Sequence, residues 1–122
     1  MKIRYSFPIA IVLAMLSLML ATPVFAADGH GCTHEPTAQA LRNCVIHASD
    51  VGHIDSKGIA KSLLAKIDAA QAALERGQTK TAVNNLNAFV KAIEAQAGKH
   101  IVSEHATHLI THANQVIEAI GT

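Results

Sequence analysis

Apolar residues recur from residue 36 onward at intervals of three and four, the period of an amphipathic helix, and nothing reads as a strand. Leu41, Cys44, Val45 and Ala48 share one face of a first predicted helix, which Pro36 can open at a first-turn position and Gly52 closes. Ile59, Leu63, Ile67, Ala70 and Leu74 line a second, with Asp55 or Ser56 as its cap and a stop near Gly77. Ala82, Leu86, Phe89, Val90, Ile93 and Ala97 line a third, capped by Thr79 and stopped by Gly98. Ser103 caps a fourth, whose stripe is Ala106, Leu109, Ile110, Ala113, Val116, Ile117 and Ile120, ended by Gly121. The links are only a few residues long, so successive long helices should run antiparallel. The expected fold is all-α: an up-and-down bundle of three long helices plus a short N-terminal helix tethered by a disulfide.

The N-terminus follows another pattern. Lys2 and Arg4 precede an almost wholly apolar run from Ile9 to Leu20, and Val24, Phe25 and Ala26 put small residues at both cleavage-determining positions. A run of about a dozen apolar residues falls short of the ~20 that span a bilayer. Residues 1–26 therefore read as a secretory signal peptide. The mature chain divides into a Cys-bearing arm and short helix over 27–54 and a three-helix domain over 55–122. It is expected to be soluble and exported, periplasmic or extracellular.

Removing the signal segment changes the composition. The whole chain carries 10 Lys and Arg against 9 Asp and Glu, whereas residues 27–122 keep eight cations and all nine carboxylates, shifting the formal charge from +1 to −1. The remaining cations are dispersed and offer no basic face for nucleic acid. Phe89 is the sole aromatic residue left, which excludes base-stacking platforms and aromatic cages. Eighteen alanines allow close helix packing but bury little area each. All eight histidines belong to the mature chain.

Cys32 and Cys44 delimit the segment CTHEPTAQALRNC. An even cysteine count in an exported chain usually means a disulfide, here closing a 13-residue loop and worth about 3 kcal/mol in the chain-entropy estimate. Eleven intervening residues do not match the two-residue spacing of a redox motif or zinc knuckle. The bridge would pin the N-terminal arm to the first helix.

The run from Gly52 to Ile120 resembles the small helical FIMAH-type domain of secreted bacterial hydrolases and surface proteins. The resemblance is carried by Gly58 with Ile59, the SLLAKIDAAQAAL block, Gly77, the AVNNLNAFV block, the Gly98 to Ile101 turn, and a final helix with Leu109, Ile110 and Ala113. It implies a compact, non-catalytic accessory module with no catalytic residues to carry over. The histidine-loaded final helix, HATHLITH, departs from the family pattern.

His105, His108 and His112 follow one another at i, i+3 and i+7, within an arc of about 60° on one helix. Imidazoles three or four residues apart can bind one metal ion, and a third a turn on can complete the site. The apolar stripe centres elsewhere on the wheel, so the row should sit beside the core with its ring nitrogens free. Neutral imidazole suits Zn, Cu and Ni, with Cu favoured on intrinsic affinity. His100, in the loop before the helix, is the best additional ligand, while Glu104 points elsewhere. The bland alternative is a polar helix flank, or a row hydrogen-bonded to a neighbouring helix.

His30 and His34 flank Cys32 and make a secondary metal candidate. Cleavage after Ala27 would make His30 third in the mature chain, the position that completes a square-planar Cu(II) or Ni(II) site with the free amine. Cleavage after Ala26 makes it fourth and weakens the motif. His47 and His53 have no partner at ligand spacing and read as surface or boundary residues.

Catalysis has little support. Ser49, Ser56, Ser62 and Ser103 fall at caps or on helix surfaces, and the chain has no Gly-rich phosphate loop and no HExxH. Ile46 and Leu64, off the main stripes, would suit a homodimer edge. The reading is an exported non-enzymatic accessory module that binds an unidentified protein or surface ligand. The alternative is a periplasmic His-mediated transition-metal binder.

Overall fold

Thr37 and Ser56 each turn a hydroxyl onto the helix that follows them. The computed structural model describes residues 32–121, so the signal segment and His30 lie outside the described residues. Four helices are present: α1 (Ala38–Asp50), α2 (Lys57–Glu75), α3 (Thr79–Gln96) and α4 (Ser103–Gly121), with no strand among the described residues. None of these helices is long and apolar enough to cross a membrane.

The helix starts follow from local chemistry. Thr37 Oγ1 accepts from the Ala40 N–H at 3.1 Å, and Ser56 Oγ accepts from the Ile59 N–H at 3.4 Å. Each satisfies a first-turn donor that the helix leaves open, worth about 1 kcal/mol. Thr37 being the cap puts Pro36 before the helix rather than inside its first turn. α3 differs from expectation too, because Gln78 precedes it without a side-chain cap bond and Thr79 is already helical. The cause lies in the preceding turn. Gly77, at φ +70°, closes α2 with its N–H on Leu74 O at 3.0 Å, and the Gln78 N–H goes to Ala73 O at 2.8 Å. That double closure ends α2 and starts α3 on the same residue, leaving no position for a separate cap.

α1 packs on α2 and α4, α2 on α3, and α3 on α4, so the first and last helices close the ring. Its centre is Phe89 with Leu41, Leu63, Ile67, Leu86, Ile93, Leu109 and Val116, all buried. Ala60 and Ala73 join the stripes read from the sequence, while Ile59, Leu74, Val90, Ile110, Ile117 and Ile120 are half-buried against the core. Leu64 also packs there, half-buried.

Two connections tie one end of the bundle together. Ile54 and Ile101 are buried and paired as an antiparallel bridge. The Asp55 N–H donates to His100 O and the Val102 N–H to His53 O, both at 3.0 Å. This pairing carries His53 to the start of α4.

Candidate metal centre

Because α1 and α4 are neighbours, the histidine row of α4 meets the turn of α1 that carries Cys44 and His47. Between them lies a cavity of about 270 Å³ lined by Cys32, His34, Cys44, His47, His105, His108, Leu109 and His112. Two of its residues, Cys44 and His47, stand one turn apart on α1, and three, His105, His108 and His112, on one flank of α4. The arm before α1 supplies Cys32 and His34, and Leu109 of α4 completes the lining.

His112 does not stay beside the core as its helical phase suggests, since it is only 2% exposed. The arm passes over this edge of α4 and gives the ring a partner. His112 Nε2 donates to Glu35 O at 2.6 Å, and its Nδ1 lies 3.5 Å from Cys44 Sγ. His34 stacks on the same ring with centroids 5.8 Å apart. The Cys32 and Cys44 sulfurs lie at disulfide-bonding distance.

His105 is half-buried, and its ring stacks on His53 at 4.6 Å while His108 stands 6.4 Å away. Burial, and then the fields of His53, His108 and His47, hold its pKa below the ordinary 6.5, with Glu104 pulling the other way. A ring that resists protonation keeps its lone pair available to a Lewis acid near neutral pH. The sequence pattern offered His47 and His53 no partner at ligand spacing, yet the fold brings both to His105. For His47 a usable signal was its i+3 spacing from Cys44, which the core reading of Cys44 obscured. No such signal marks His53.

His100 goes elsewhere. Its Nδ1 pairs with Asp55 Oδ1 at 2.7 Å, and it lines a separate cavity with His53, Lys99 and Val102. Among the described residues one triad of ligand atoms lies mutually within 4.8 Å: the sulfurs of Cys32 and Cys44 and a ring nitrogen of His112. The rings of His47, His105 and His108 are instead spread along the cavity wall, so a shared ion would require side-chain rotation.

Fold and site together define a small helical bundle with an imidazole- and sulfur-lined pocket between its first and last helices. Residues 38–118 match the family model of the FIMAH domain, and the chain belongs to that family. The matched span begins at the first residue of α1 and so takes in the short first helix as well as the three long ones. No curated protein and no solved structure matches the chain.

Proposed function

We propose that this is an exported, non-enzymatic helical module that binds a transition-metal ion through His47, His105 and His108, with His34 and His53 in support. The observation that carries the reading is the convergence of His34, His47, His105, His108 and His112, from the arm, α1 and α4, on one cavity, with His53 stacked on His105 from outside it. Unrelated solvated histidines would not be gathered this way from three chain segments.

Imidazole donors suit Cu(II), Zn(II) and Ni(II), and intrinsic affinity ranks copper first. Binding draws nitrogens to roughly 2.0–2.1 Å from the ion, which the exposed His108 ring reaches by rotating toward half-buried His105 and His47. In this reading residues 1–26 are the export signal and the Cys32–Cys44 disulfide tethers the arm to α1. The short first helix and three long ones form an up-and-down bundle that presents the cavity at one edge. In this reading the module acts as a non-catalytic accessory unit.

The test is a titration of residues 27–122 with Cu(II), Zn(II) and Ni(II), in a His30→Ala background that removes the arm's terminal site. Binding with a Kd below about 1 μM, lost in a His47→Ala, His105→Ala, His108→Ala triple variant, is expected. Equal binding by the variant, or none by the parent chain, overturns the reading.

A further inference from the structure

The buried end of the cavity holds a second set of donors that imidazole binding does not use. His112 Nε2 donates to the Glu35 carbonyl, which has no proton of its own to give, so the tautomer that this contact selects carries its lone pair on Nδ1. That lone pair faces Cys44 Sγ at 3.5 Å. A disulfide sulfur cannot donate to it, and among the described residues no other donor to Nδ1 is found. A histidine with one nitrogen locked on a backbone carbonyl and the other bare and buried is in the state in which proteins hold metal-ligating imidazoles.

We propose that Cys32, Cys44 and His112 form a thiol-switched metal site, closed while the cysteines are joined and opened by a dithiol reductant to take a thiolate-preferring ion, Zn(II) or Cu(I). The geometry supports the ligand set. Tetrahedral coordination with metal–sulfur bonds of about 2.3 Å and metal–nitrogen bonds of about 2.0 Å sets sulfur and nitrogen roughly 3.5 Å apart. Cys44 Sγ and His112 Nδ1 already stand at 3.5 Å. Once the sulfurs part, the half-buried Cys32 on its arm can retreat to open the site, whereas Cys44 and His112 are held in the bundle.

The step balances with a dithiol as co-reactant. Its two thiols pass two electrons and two protons to the Cys32–Cys44 disulfide, leaving the reductant as a disulfide and the chain with two thiols. Zn(II) then displaces both thiol protons and binds two thiolates and the Nδ1 lone pair. The site shares a cavity with His47, His105 and His108 but none of those three ligands, so either site can fail without the other.

The experiment compares oxidised and phosphine-reduced residues 27–122 titrated with Zn(II), and with Co(II) as a spectroscopic stand-in. Reduction should add one equivalent of tight binding and a thiolate-to-cobalt charge-transfer band. Cys32→Ser with Cys44→Ser should remove both, and leave the imidazole-site stoichiometry unchanged. The His47, His105, His108 triple variant should keep both. His112→Gln should weaken the reduced-state site by at least about tenfold, the scale on which even a second-shell partner matters. Circular dichroism follows the fold throughout. If the reduced chain loses helicity, recovery on one equivalent of Zn(II) supports the site, and failure to recover overturns it. Equal stoichiometry in both redox states, no charge-transfer band, or an unchanged affinity in His112→Gln also overturns it.

Discussion

The ring of His53, in the connection after α1, stacks on His105 in the first turns of α4 with centroids 4.6 Å apart and planes 23° from parallel. Neither α1 nor α4 alone creates this contact. It depends on the paired connections at Ile54 and Ile101, which hold the two segments at one end of the bundle.

The stack has a consequence for pH dependence. Burial, followed by His53 and the other imidazoles, disfavours the charged form of His105. The unfolded chain takes up that proton near 6.5 while the folded chain waits for a lower pH. Between the two values the unfolded state holds more protons, so stability falls as pH falls. The contribution is complete above about 6.5 and lost once pH has passed through the folded pKa. An NMR titration should place the His105 midpoint below 6.5, and His53→Ala should raise it by removing both cover and charge. A native midpoint at or above 6.5 would contradict the packing described.

The two threonines at helix starts should behave differently. Thr37 caps α1 through its hydroxyl, whereas Thr79 lies inside α3 with no such role. Thr37→Ala should cost about 1 kcal/mol in urea denaturation. Thr79→Ala should stay within about 0.5 kcal/mol of the parent. Equal losses would mean that the caps are misplaced.

Phe89 is fully buried at the centre of the ring, in a core otherwise built of aliphatic and alanine side chains and Cys44. Truncation to Ala should cost about 3–5 kcal/mol, a large part of the 5–15 kcal/mol typical of a whole domain. Val51, at 51% exposed, is the control, and Val51→Ala should change stability by less than about 0.5 kcal/mol. Thermal and chemical melts of the two variants check the contrast.

Gly77 and Gly98 both hold positive φ, at +70° and +75°. A Cβ at Gly77 meets nothing within 4 Å, so Gly77→Ala should show only the left-handed backbone cost of about 1–2 kcal/mol. At Gly98 the same Cβ would come 3.2 Å from Ser103 Oγ, at the start of α4. Gly98→Ala should therefore lose more stability than Gly77→Ala, and a smaller loss would contradict the turn geometry.

Much of the fold is local enough to read along the chain. Apolar spacing marks the four helices, and Gly52, Gly77 and Gly98 mark three of their ends through the positive φ each adopts. The cap of α2 was legible to within one residue, Asp55 or Ser56, because a polar side chain before a helix is a short-range signal, and Ser56 fills it. Gln78 was not, because its role comes from sharing one residue between two helices. Leu63, Ile67, Leu86, Phe89 and Ile93 are buried as their stripes predict, since periodicity alone says which face of a helix is apolar.

The site divides along the same line. Local pattern along the chain suffices for the helical elements, the membership of His105, His108 and His112 in one row, and the cysteine pair at disulfide-compatible spacing. Which face of that row is covered, and by what, depended on contacts across 77 residues from Glu35 to His112 and 68 from Cys44 to His112. The closing of the ring by α1 against α4 brought His47 and the sulfurs to the row, and the paired connections at Ile54 and Ile101 brought His53. Helical period is set by backbone geometry within a few residues, whereas burial and ligand convergence are set by which elements pack together, and no local pattern encodes that choice.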